Sequence, residues 1–87
     1  MSNPVAEQGN FTNFTATTSI ATAKGILGIL TASTTGGTVV VTDTAGTAIT
    51  GTLTPAAGSY IPIPAKCTGL TLTVANTINC TVFWTND

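Results

Sequence analysis

Charge is almost missing from this chain. Glu7, Lys24, Asp43, Lys66 and Asp87 are all its acidic and basic residues, 6% of the 87, where ordinary soluble domains carry roughly 25%. A net charge of −1 with only two lysines argues against electrostatic binding to nucleic acid or to an anionic membrane surface. Histidine is absent as well, so no imidazole base, proton shuttle or ligand exists. Cys67 and Cys80 alone cannot make an ordinary tetrahedral zinc site within one chain. There is no paired-carboxylate motif, no strand–Ser–helix elbow and no glycine loop of the phosphate-binding kind. The many hydroxyls have no neighbouring base to activate them. The expectation is a protein that is not an enzyme, with no catalytic residue, cofactor or metal. No run approaches the ~20 apolar residues of a membrane span, and no basic start followed by an apolar stretch suggests a signal peptide.

Threonine takes the place of charge, with 21 residues. It is β-branched, favours pleated backbone and tolerates both water and partial burial. Nine Gly, four Pro and the lack of helical periodicity make the expected fold class all-β. The chain forms one domain, close to the lower limit of independent stability, since a domain this small buries only about 60–65% of its unfolded surface. A free globule normally carries more charge to stay soluble. A surface this neutral is expected to be covered by partners, first of all by copies of the chain itself.

Residues 1–18 read as an extended N-terminal arm and residues 19–87 as the β domain. The arm holds Pro4, Gly9 and a small duplication, Asn10-Phe11-Thr12 followed by Asn13-Phe14-Thr15. Aromatics in a polar segment need a partner, so Val5, Phe11 and Phe14 are its expected anchors. The run from Lys24 to Leu30 is apolar on both sides of a strand, as in strands covered on two faces, inside a sandwich or at a subunit contact. Ile26 and Ile29 are therefore expected at a subunit interface, and Gly28 marks a bulge or a close backbone approach. Residues 33–37 (STTGG) read as a turn.

Residues 38–43 are the next strand, and Asp43 is placed to accept from backbone N–H groups two residues on. It has no acidic neighbour for acid–base work or for a hard cation. A strand over 47–54 ends at Pro55. In the next segment Pro62 and Pro64 cannot donate to a ladder, which places it at an edge or between sheets. Residues 69–84 read as a closing hairpin with residue 74 opposite 80, 72 opposite 82 and 70 opposite 84. That register gathers Leu70, Leu72, Val74, Cys80, Val82 and Trp84 on one face. About seven short strands at 8–12-residue spacing predict a small antiparallel β-sandwich or jelly-roll-like domain. In this register Cys80 faces residue 74 while Cys67 precedes the strand, so both thiols are expected to stay reduced, as in a reducing cytoplasm.

Thr-x-Thr recurs at Thr42/Thr44, Thr50/Thr52, Thr52/Thr54 and Thr71/Thr73. Alternate residues share a strand face, and flat ranks of Thr are how several ice-binding proteins meet a crystal plane. The plainer reading is Thr on the outer face of a half-buried sheet, and the drifting spacing between copies lacks the fixed period of a repeat array.

The order of pieces resembles a known family. Lys24-Gly25-Ile26-Leu27 is followed by a Gly-Gly pair and Val39-Val40-Val41-Thr42-Asp43. Then come Gly46-Thr47, Pro55 through Gly58-Ser59-Tyr60-Ile61-Pro62, Gly69-Leu70 and a closing Thr81-Val82-Phe83-Trp84. Over residues 24–84 this is similar to the small head decoration, or cement, proteins of tailed phages. The resemblance rests on turns and hydrophobic alternation rather than on a signature residue. It implies a compact β-sandwich or jelly roll, commonly a homotrimer, made in the host cytoplasm and seated on the virion capsid surface. There it would staple neighbouring major capsid protein subunits, with no catalytic residue to carry over. A Thr-rich module binding surface glycan or ice, a phage tail or fibre module and a bacterial assembly subunit share these properties.

Overall fold

Two long strands carry the fold. The computed structural model describes residues 10–86, and in these every regular element is a strand: β1 (Asn10–Phe14), β2 (Thr18–Ile20), β3 (Gly25–Thr42), β4 (Ala48–Leu53), β5 (Tyr60–Lys66) and β6 (Leu70–Thr85). They form one antiparallel sheet in which β3 and β6 pair along nearly their whole lengths, from Gly25 opposite Thr85 to Thr42 opposite Thr71. The all-β class expected from composition holds, in six strands.

The long ribbon is bent. Eighteen residues of β3 would span roughly 60 Å if straight, yet the longest dimension of the molecule is 42 Å. The β3–β6 ladder slips between Thr31 and Ser33 and again between Thr35 and Gly36. Gly36 and Asn76 sit at φ of +64° and +62°, in the left-handed region that Gly enters freely and Asn more readily than most residues. The Asn76 side-chain amide donates to the Gly36 carbonyl at 2.9 Å, and the Gly37 N–H donates to Thr34 Oγ1 at 2.9 Å. Bulges of this kind bend and twist the strand that carries them.

Two sequence expectations are corrected here. Residues 33–37 are no turn and residues 69–84 are no hairpin: the first segment lies within β3, and from Leu70 onward the second lies within β6. Several turn types and the glycine-type bulge share a residue at positive φ, so the same residues mark either one. Val74 lies opposite Val39, Leu72 opposite Val41, Cys80 opposite Thr31 and Val82 opposite Ile29. The expected face nevertheless holds. Leu70, Leu72, Cys80 and Val82 are buried, and Val74 and Trp84 pack at the margin of the core.

The bend divides the sheet into two halves. In one, the start of β3 and the end of β6 are flanked by β5 and β1; in the other, the end of β3 and the start of β6 are flanked by β4 and β2. Ile26, Ile29 and Val82 from the first half join Val39, Val41, Leu70 and Leu72 from the second in one cluster, each at most 1% exposed. A side chain on one face of a sheet is sealed that completely only when another layer covers it. Each half covers the apolar face of the other.

The boundary expected between arm and domain at Ser19 falls inside the folded unit. β1 pairs with β6 from Asn10 opposite Trp84 to Phe14 opposite Cys80, and β2 pairs with Leu70–Leu72 of the same strand. The Asn13 amide donates to Asn79 Oδ1 at 2.8 Å and to the Cys80 carbonyl at 2.9 Å, and the Trp84 indole N–H donates to Thr12 Oγ1 at 3.0 Å. Phe14 closes the core at 3% exposure, a burial worth about 1.5–3 kcal/mol. Val5 and the rest of residues 1–9 lie outside the described residues.

Candidate docking surface

The outer face of the first half is apolar. Phe11 on β1 lies opposite Phe83 on β6, Phe83 lies opposite Gly28 on β3, and Leu30 on β3 lies opposite Tyr60 on β5. The Tyr60 and Phe83 rings sit 6.2 Å apart at an interplanar angle of 58°, and the Tyr60 hydroxyl donates to the Leu27 carbonyl at 3.3 Å. Gly28 makes room for this ring: a Cβ there would lie 2.5 Å from Tyr60 Cζ and 2.7 Å from the Ile61 carbonyl oxygen. Both sequence readings of Gly28 therefore apply, since a bulge begins beside it and the Tyr60 ring packs closely on its backbone.

Exposure is high across this patch: 74% for Phe11, 49% for Tyr60, 41% for Leu30 and 38% for Leu27. With bare aromatic side chains presenting about 150–250 Å² each, the patch amounts to roughly 300–400 Å². That is the size at which an apolar patch on a monomer usually marks a contact surface.

No family model, curated protein or solved structure matches this chain. The surface therefore has to be read from its own geometry.

Of the residues expected at partner contacts, only Phe11 presents an open surface. Phe14, Ile26 and Ile29 belong to the chain's own core, and Val5 lies outside the described residues. Ile26 and Ile29 are three apart and would face opposite ways on a regular strand. Between Ile26 and Gly28, β3 advances two residues while β6 advances one, from Trp84 to Phe83. That bulge reverses the alternation, turns both isoleucines inward and leaves Leu27 and Leu30 outside. Sequence reasoning correctly finds a strand apolar on two faces but assigns the wrong residues to the outer one. Leu27, Leu30, Tyr60 and Phe83 are the additions. A bulge placed at Leu27 from the Gly28 signal would have found the first two.

The threonine ranks assemble only in part. Thr42 lies opposite Thr71, and Ser19 lies opposite Thr71 on the other side with 3.2 Å between the hydroxyls. Val40 interrupts the next row, standing between Thr52 and Thr73. Thr44 donates to the Thr68 carbonyl at 2.6 Å, and Thr50 donates to the Gly51 carbonyl at 2.8 Å and accepts from the Val41 N–H at 3.2 Å. Those two hydroxyls are committed to the backbone. Asp43 makes the expected turn: its Oδ1 accepts from the N–H groups of Ala45 and Thr47, at 2.9 Å each.

The two cysteines are unpaired, though not for the reason the hairpin register supplied. Cys80 faces Thr31 in the interior, with Sγ 3.4 Å from Thr31 Oγ1. Cys67 lies half-buried at the end of β5. Burial pushes both thiols above their ordinary pKa. The negative charge of Asp43 adds to this at Cys67, while the Thr31 hydrogen bond partly offsets it at Cys80.

Proposed function

We propose that this chain is a non-enzymatic structural protein of a tailed-phage head, a decoration protein that bridges and stabilises major capsid protein subunits on the outer surface of the shell. The observation that carries the reading is the exposed patch of Phe11, Leu27, Leu30, Tyr60 and Phe83 on a molecule with almost no charge. Such a face supports docking by burial of apolar area, at roughly 25 cal/mol per Å² before the costs of association. The bent sheet closing on one core suits the sandwich or jelly-roll-like body that the sequence resemblance implies. In this reading the protein is made in the host cytoplasm, acts in the virion, and sits on the lattice as a homotrimer.

Bridging contacts exist only in the assembled shell, so they stabilise that state by mass action. Shells assembled without this protein should lose resistance to heat or pressure and regain it when the purified protein is added back. If addition leaves shell stability unchanged while the protein halts ice growth or binds a glycan array, the reading is wrong.

A further inference from the structure

In a molecule this poor in charge, the position of the few charges is informative. Lys24, Asp43 and Lys66 are the only charged side chains among the described residues, and all three line a single cleft of about 470 Å³ together with Cys67 and Thr68. The remaining charged residues, Glu7 and Asp87, lie outside the described residues. The three arrive from distant parts of the chain: Lys24 just before β3, Asp43 just after it, and Lys66 at the end of β5.

Backbone hydrogen bonds tie these segments together. Lys66 lies opposite Gly25 in the β3–β5 ladder. The Cys67 N–H donates to the Lys24 carbonyl at 3.0 Å, the Gly69 N–H to the Ala23 carbonyl at 2.8 Å, and the Lys24 N–H to the Thr85 carbonyl at 2.7 Å. The Thr44 hydroxyl joins Thr68 to the end of β3 at 2.6 Å. The backbone of the segments that carry the lining residues is thus fixed by the fold.

A second cleft of about 290 Å³ opens beside the first. Lys24 and Lys66 line both, and the second is otherwise mostly apolar, with Ile26, Leu27, Pro64 and Ala65 in its walls. Lys24 and Lys66 therefore stand where a cleft that carries all three charges meets a mostly apolar one. Among the residues that line the first cleft, two lysines face one aspartate. Asp43 is also partly engaged, since its Oδ1 accepts from two backbone N–H groups.

From this arrangement we infer that the end of the molecule carrying Lys24 and Lys66 is a binding site for a carboxylate attached to an apolar chain. The carboxylate sits against the two ammonium groups, and the chain lies along Leu27 and Pro64. A free short-chain acid and the carboxyl end of a polypeptide present this same chemistry. The inference does not depend on the proposed role in a shell, and its test needs no shell.

The test is a titration of the full chain at low ionic strength, followed through its backbone amide resonances. The probes are hexanoate and its neutral isostere hexanamide, and the dipeptide acetyl-Ala-Leu with a free or an amidated carboxyl end. At least one carboxylate should bind about tenfold more tightly than its neutral partner, moving the amides of Lys24, Gly25, Leu27, Lys66, Cys67 and Thr68. Lys24→Gln and Lys66→Gln should each weaken it about three- to fivefold, the range of exposed ion pairs, and the double variant should erase the advantage over the amide. Both substitutions are on the surface, and an unchanged spectrum elsewhere will show that the fold is kept. Tight binding of hexanoate alone identifies a free acid as the source, and tight binding of the peptide acid alone identifies a chain end. The inference is overturned if neither carboxylate outbinds its amide, or if the preference survives loss of both lysines.

Discussion

Phe11 and Phe14 show how much one residue's position decides. They occupy equivalent places in the Asn-Phe-Thr duplication, and composition alone treats them alike. A repeat of three on a strand of period two places them on opposite faces, so one closes the core and the other stands on the surface. Phe14→Ala should lower the unfolding free energy by about 3–5 kcal/mol, as for other buried aromatics. Phe11→Ala should change it by no more than about 0.5 kcal/mol, and denaturant titration of both variants checks the pair. The cysteines provide a second test at this scale. Native protein should show one accessible thiol, Cys67, and denatured protein two. Because burial holds both thiols neutral, the unfolded chain releases those protons at lower pH than the folded one. The resulting stability is complete below about pH 8.5 and is lost as pH rises through the raised folded values. Thermal melts across this range should fall less steeply for Cys80→Ala than for the unsubstituted chain.

The elements were legible in type and facing but not in partnership. Alternation of Leu70, Leu72 and Val74, and then of Cys80, Val82 and Trp84, correctly puts six side chains toward one core. It carries no information on which strand lies opposite, so a hairpin and a continuous strand paired with β3 satisfy the pattern equally. The deciding feature is the match between two bends, Gly36 on β3 and Asn76 on β6, about forty residues apart in sequence. No local signal links them. Asn76→Val and Gly36→Val should each cost roughly 1–2 kcal/mol by forcing a β-branched residue into positive φ, whereas Asn76→Gly should be nearly neutral in calorimetry. If both valine variants melt like the parent, the ribbon does not depend on left-handed backbone at its bend. The outer apolar face was half legible for a related reason. The two-sided run from Lys24 to Leu30 announces it, but only the bulge at Leu27 says which side chains are outside.

For the molecule as a whole, the segment before Ser19 is structural from Asn10 onward. Removing residues 1–18 deletes β1, the first residue of β2 and the side chain that closes the core. The truncated chain should lose its cooperative melt, and retention of the parent melting temperature would contradict the topology described here. Low charge, a sealed core and an open apolar face among the described residues are what the proposed docking role requires. The most direct test of the proposed function is saturation binding to tailed-phage shells assembled without this protein. The parent chain should be compared with a Phe11→Ser, Leu30→Ser, Tyr60→Ser variant whose core residues are untouched. The account predicts saturable binding of the parent chain and binding weaker by at least about a hundredfold for the variant, with the variant still folded by circular dichroism. Equal binding by the folded variant, or none by the parent chain, would contradict it.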